Sequence, residues 1–275
     1  MTVAQPGRAV RMEQVDIDGL SLRAAVWPAQ SSHPPLLLFN GLGGNLELMQ
    51  PFVDALPGIE VACFDMPGVG GSGLARRPYR LRTMARLAAR VAVRLGYGDV
   101  DVLGVSWGGA VAQEFARRNR TRCRRLVLCA TTAGALGSLP GSPRVLAAML
   151  SPRRYHDPGY MEREAGRIYG GRFRTDPELV RQHAARVRWP STAGYWLQLL
   201  AMMGWSSLPW LWRLPQPTLV IAGADDPIVR PINGRILARC IPHARLEMID
   251  DGHLFLVSSP ERSAALVREF LGSTC

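Results

Sequence analysis

Three residues far apart in the chain, Ser106, Asp226 and His253, have the types that together turn a hydroxyl into a nucleophile. A serine hydroxyl is inert at neutral pH unless a base takes its proton, and the base works best when a carboxylate fixes its orientation. Ser106 stands in Gly104-Val105-Ser106-Trp107-Gly108, a G-x-S-x-G string. The string alone is weak in a glycine-rich chain. Its setting is stronger: the apolar run Val100–Val105 ends just before the serine, and a segment with helical spacing begins at Trp107. A strand that turns sharply into a helix lifts the serine above the sheet edge, and small residues on either side let strand and helix approach. The helix start also aims unpaired N–H groups at the site, which favours negative charge.

His253, in Ile249-Asp250-Asp251-Gly252-His253, is the best base. It follows a strand, sits in a glycine-containing turn and comes late in the chain. His33 precedes the first core strand, His156 and His183 fall in the irregular middle of the chain, and His243 lies in a loop beside Pro242. Two acids, Asp225 and Asp226, compete to orient the base after the run Pro217–Gly223; the spacing from Gly223 favours Asp226. Asp250 and Asp251 read as turn residues. The chain order serine, acid, histidine is the one expected of an α/β-hydrolase. The backbone N–H of Trp107 and that of Leu42, in Phe39-Asn40-Gly41-Leu42-Gly43-Gly44, are the candidate oxyanion donors. Dehalogenases and epoxide hydrolases need an acid at position 106, so those chemistries are excluded.

These groups need a scaffold. Short, unalternated apolar runs at 35–39, 59–64, 100–105, 125–130, 217–223 and 244–249 read as strands covered on both faces. Helical spacing marks 81–96, 107–118, 231–240 and 260–271. The alternation predicts an α/β fold, a mostly parallel central sheet with helices on both faces. The rhythm stops between 134 and 213, where helix-like pieces are separated by Pro and Gly. The expectation is a hydrolase core formed by 1–133 and 214–275, with 134–213 inserted as a helical cap. Five of the seven tryptophans, Trp189, Trp196, Trp205, Trp210 and Trp212, lie in that stretch. Trp196 and Trp205, with Asn40, are candidates to line a substrate cleft.

Composition narrows the classes. The chain has 275 residues, 47% of them hydrophobic and 20% charged. The five cysteines include no C-x-x-C pair, and the five histidines lack ligand spacing, so neither a disulfide framework nor a metal is expected. No cofactor is expected either. Gly68-Val69-Gly70-Gly71-Ser72-Gly73 satisfies G-x-G-x-x-G, but Pro78 interrupts the segment after it, whereas a dinucleotide site needs a helix opening within the motif. No apolar stretch reaches the length of a membrane helix, and the N-terminus lacks a secretory apolar core; a cytoplasmic location is expected. All 33 basic residues are arginine, and the net charge is +11. Arg82, Arg86, Arg90 and Arg94 recur every four residues on one predicted helix face, where like charges repel. That face reads as a solvated surface or as a candidate for docking on an anionic granule. Nucleic acid is not expected, since no recognition motif accompanies the charge.

From about residue 12 to 271 the chain resembles the intracellular medium-chain-length poly(3-hydroxyalkanoate) depolymerases of pseudomonads. The resemblance rests on "FNGLGGNLEL", "FDMPGVGGSG", "GVSWGGAVAQEFA", "SPRRY", "IYGGRFRTDPELVRQHAARV", "PTLVIAGADDPI" and "IDDGHLFL". It implies an α/β-hydrolase fold, a Ser106–His253–Asp226 triad and hydrolysis of stored polyester inside the cell. The alternatives are a small-ester or lactone carboxylesterase, or a carbon–carbon bond hydrolase of the same fold. A hydrolase-like binding module without activity is a further rival, disfavoured because serine and histidine are both kept.

Overall fold

The computed structural model describes residues 8–30, 33–151, 157–188 and 191–273. Eight strands form one sheet: β1 (Arg11–Ile17), β2 (Leu20–Trp27), β3 (Leu36–Phe39), β4 (Val61–Phe64), β5 (Val100–Val105), β6 (Cys123–Cys129), β7 (Thr218–Gly223) and β8 (Ala244–Ile249). Their order is β1-β2-β4-β3-β5-β6-β7-β8. β1, β2 and β4 pair antiparallel, and every pair from β4 to β8 is parallel.

The unalternated apolar runs are explained by two apolar cores. Along β3, Leu37 and Phe39 face one core, while Leu36 and Leu38 face the other. β6 does the same, with Leu126 and Leu128 against Val127 and Cys129. The helices are α1 (Gln50–Asp54), α2 (Leu81–Arg94), α3 (Trp107–Arg118), α4 (Pro143–Leu150), α5 (Pro158–Tyr169), α6 (Pro177–Arg186), α7 (Thr192–Met202), α8 (Pro231–Cys240), α9 (Phe255–Ser258) and α10 (Pro260–Gly272). α2, α3 and α8 bury Ala88, Phe115 and Leu237 in the first core; α1 and α10 bury Phe52 and Phe270 in the second.

β3 lies between β4 and β5. The chain leaves β3 toward one edge of the sheet and resumes at β5 toward the other. Loops leaving the carboxyl ends of such neighbours diverge and open a crevice, where ligands of open α/β sheets bind. The loop after β3 carries Asn40 to Gly44, and the turn after β5 carries Ser106.

Between β6 and β7 the described residues form helices and 3-10 turns, with antiparallel bridges joining Gly134 to Ser206 and Pro140 to Val229 in the loop after β7. Val145, Met161, Ile168, Phe173 and Val180 gather there in a small core of their own, which Ile228 joins from the loop after β7. Among the described residues, no helix is long and apolar enough to cross a membrane. Cys63, Cys123 and Cys129 are buried free thiols. Burial pushes all three up from the ordinary thiol value.

The glycine-rich string 68–73 makes a tight loop, and the next helix begins only at Leu81. The loop closes on buried Asp65, whose carboxylate accepts N–H groups of Gly71 (3.0 Å) and Leu46 (2.9 Å). A β-carbon on Gly70 would stand 2.1 Å from that carboxylate.

Candidate active site

Ser106 joins β5 to α3 with φ 53° and ψ −117°. A non-glycine residue at positive φ is strained and persists only where its surroundings hold it. Here the Ser106 N–H donates to Cys129 C=O at 2.9 Å, and its C=O accepts the Thr131 hydroxyl at 2.7 Å. The glycines on either side are sterically required. A β-carbon on Gly104 would lie 2.4 Å from Gly108 O, and one on Gly108 would lie 2.2 Å from Phe39 O. Gly108 thus lets α3 sit directly against the end of β3, bringing Ser106 beside the loop after β3.

Asp226 and His253 stand on the loops after β7 and β8. The Asp226 Oδ1 accepts the N–H groups of Ile228 and Val229, each at 2.9 Å. That leaves Oδ2 facing His253 Nδ1 at 2.8 Å, with both side chains buried. The contact orients the imidazole, with Nδ1 turned to the carboxylate and Nε2 at the far side of the ring. His253 and Ser106 line one cavity, together with Asn40, Gly41 and Leu42.

The competing acids are elsewhere. Asp225 pairs with the Arg174 guanidinium at 2.7 Å and accepts Gly171 N–H at 2.8 Å; these contacts hold its carboxyl below the usual range. Asp250 is exposed. Asp251 is more than a turn residue: its buried carboxylate accepts N–H groups of Arg172 and Gly252 and the hydroxyls of Ser258 and Ser259.

Trp107 is the first residue of α3, so its N–H has no partner within the helix. The 41–44 turn runs alongside: a β-carbon on Gly41 would meet Ser106 Cβ at 3.6 Å. Asn40 lines the cavity, but its amide braces this turn, donating to Asn45 C=O (2.7 Å) and accepting Gly41 N–H (2.9 Å).

Trp196 and Trp205 are not in the cavity wall. Trp196 faces solvent on α7, while Trp205 turns to α3 and donates its indole N–H to Glu114 at 3.0 Å. Trp210 is buried under the Arg117 guanidinium, Trp212 is exposed, and Trp189 lies outside the described residues. The apolar wall is built by Met49, Met149, Val187, Ile228, Leu254 and Val257 instead. His183, set aside in the sequence, is a cavity residue on α6, with Tyr169 and Phe173 packed edge-on to its ring.

Residues 34–260 match the family described as alpha/beta hydrolase fold. Over 258 residues the chain is 53% identical to the poly(3-hydroxyalkanoate) depolymerase of Ectopseudomonas oleovorans, covering 94% of this chain and 91% of that one. The chain belongs to the poly(3-hydroxyalkanoate) depolymerase family of alpha/beta hydrolases, and it is an ester hydrolase. More distantly, this hydrolase is 27% identical to 3-oxoadipate enol-lactonase 2 of Acinetobacter baylyi, over 84% of this chain and 86% of that one. A solved hydrolase from Pseudomonas aeruginosa superposes with a TM-score of 0.78 at 25% identity, covering 96% and 98% of the two chains. Within this hydrolase the sequence strings "IYGGRFR" and "IDDGHLF" meet in space: His253 N–H donates to Tyr169 C=O at 2.7 Å.

Proposed function

We propose that the protein hydrolyses the ester bonds of a poly(3-hydroxyalkanoate) through an acyl-enzyme on Ser106, favouring medium-length side chains. The observation that carries this reading is the Asp226–His253 pair at 2.8 Å, opening on the cavity that holds a strained Ser106. The relationship to the Ectopseudomonas enzyme supports the polymer as substrate.

The Ser106 hydroxyl attacks the ester carbonyl while His253 Nε2 takes its proton. Asp226 steadies the imidazolium that results. The carbonyl oxygen, now an oxyanion, is received by the N–H groups of Leu42 and Trp107; one such donor contributes about 2.7 to 4 kcal/mol to the transition state. The tetrahedral intermediate collapses, its C–O bond breaks, and His253 returns the proton to the leaving alkoxide, which departs as the hydroxyl end of one chain piece. Water then attacks the acyl-Ser106 carbonyl, giving its proton to His253. The acid is released and the serine reprotonated.

Residues 134–213 serve as a cap, since α4 and α6 bring Met149 and His183 into the wall over Ser106. An apolar wall rewards length: each buried CH₂ is worth about 0.8 kcal/mol. Hydrolysis of a medium-chain polyester is therefore expected to exceed that of polyhydroxybutyrate about tenfold or more, by four extra methylenes partly realised. Equal rates would remove the preference. Turnover of short esters with neither polymer attacked would favour a small-ester or lactone hydrolase. The site works without a cofactor in this scheme, and hydrolysis takes place in the cytoplasm at the surface of the polymer store.

A further inference from the structure

α7 has two unlike faces. Its inner face is buried: Gly194 lies against the backbone of Gly68, and Tyr195, Gln198 and Ala201 are covered. Its outer face is apolar and open to water. Trp196 is 54% exposed, Leu200 49% and Met203, just past the helix end, 69%. Their spacing of four and three places them in one row on the helix surface. The helix sequence, Thr192 to Met202, contains no charged residue. A row of large apolar side chains in water is unfavourable unless something covers it.

The charge beside this row says what would cover it. A surface groove at the end of α7 is lined by Met203, Arg80, Arg82, Arg117 and Arg118. Among the described residues of that groove, the only carboxylate is Glu114, already paired with Arg118 at 2.8 Å and bonded to the Trp205 indole. From Arg82 the ridge continues along the exposed side of α2 through Arg86, Arg90 and Arg94. Only Arg90 has an ion-pair partner among the described residues of that ridge, Asp18 on the β1–β2 turn, whose carboxyl it holds below the usual range. An apolar row flanked by guanidinium groups is the arrangement that seats in a layer of anionic amphiphiles. Trp, Leu and Met enter the acyl boundary, and arginines meet the headgroups.

We propose that the outer face of α7 and the adjoining arginine ridge dock the protein on an anionic lipid surface. Docking goes beyond the ester chemistry, and it does not use the catalytic residues.

The test is co-sedimentation of the full chain with vesicles of phosphatidylcholine alone, and with vesicles of phosphatidylcholine mixed with phosphatidylglycerol. Binding to the anionic vesicles is expected to be about tenfold stronger or more, and to weaken as salt rises. Trp196→Ser/Leu200→Ser/Met203→Ser is expected to lose about tenfold of it, and Arg82→Glu/Arg86→Glu a comparable amount. Both variants are expected to turn over a water-soluble p-nitrophenyl ester at the wild-type rate, which separates docking from the hydrolase reading. Absence of vesicle binding, equal binding to neutral vesicles, or binding untouched by either variant overturns the proposal. So does a concentration-dependent dimer that the triple variant abolishes, because the covering partner would then be a second copy of the chain.

Discussion

The side-chain carbonyl of Gln198 accepts the backbone N–H of Gly43 at 2.9 Å, tying α7 to the turn beside Ser106. One residue before Gly43 is Leu42, whose N–H is a proposed oxyanion donor. The Gln198 backbone C=O also accepts the Trp107 indole N–H at 2.9 Å, so one helical residue contacts both the 41–44 turn and the side chain that follows Ser106. Gln198→Met keeps the size and removes the side-chain acceptor. We expect kcat to fall about ten- to hundredfold, short of the loss of a whole donor, with KM nearly unchanged. Steady-state kinetics on a soluble ester, beside a thermal melt, check this. An unchanged kcat would show that the turn holds its shape unaided.

Asp225 and Asp226 are neighbours in sequence with different tasks. Asp226→Asn leaves His253 without its anchor and favours the wrong tautomer, so kcat is expected to drop by about a hundred- to ten-thousandfold. Asp225→Asn removes a contact to Arg174 and Gly171 and is expected to keep activity within a few-fold. Comparing kcat for the two variants decides the assignment, and reversed effects would overturn it.

The same Asp225 gives a pH signature. Its folded-state pKa lies below the ordinary value of 3.8, chiefly because Arg174 bonds to the carboxylate. Folding thus gains stability from the charged form at pH above about 4, and loses it as pH falls through the lowered folded value. The pair is half exposed, so the effect is below about 1 kcal/mol. Thermal melts of wild type and Asp225→Asn are expected to differ slightly at pH 7 and to converge in acid. A difference that grows on acidification would contradict the assignment.

Gly108→Ala tests the close approach of α3 to β3. Alanine is the better helix former by about 1 kcal/mol, so propensity alone predicts a gain. The added carbon, however, would lie 2.2 Å from Phe39 O and 2.4 Å from Asn40 O, both backbone atoms that cannot swing away. Crowding is expected to win, lowering the melting temperature by several degrees, about 1 to 3 kcal/mol net, and reducing kcat by moving the 41–44 turn. A variant with raised stability and full activity would show the approach to be looser than the geometry states.

Much of this arrangement was legible in the sequence, for identifiable reasons. Strands such as β3 and β6 are covered on both sides, so they appear as solid apolar runs. The G-x-S-x-G string announces itself because a backbone clash would result from any larger residue at 104 or 108. The hairpin of β1 and β2 escaped that reading. β1 lies at the sheet edge with mostly exposed residues, and its clue was the Asp18-Gly19 turn, with φ of 56° and 74°. The tryptophans misled because composition does not say which way a helical side chain points. Trp196 and Gln198 are two positions apart on α7, yet one meets solvent and the other the Gly43 turn. His183 was hidden for the same reason: a lone histidine in a helical stretch gives no sign that the α6 face it occupies looks toward Ser106.

We propose Ser106 as the nucleophile and His253 as its base. Peptide mapping after treatment with a fluorophosphonate measures this most directly. We expect a single adduct on Ser106 that appears as ester hydrolysis is lost, and almost no adduct in His253→Ala. An adduct on another residue, or an unlabelled Ser106 in a protein that still hydrolyses esters, would contradict it.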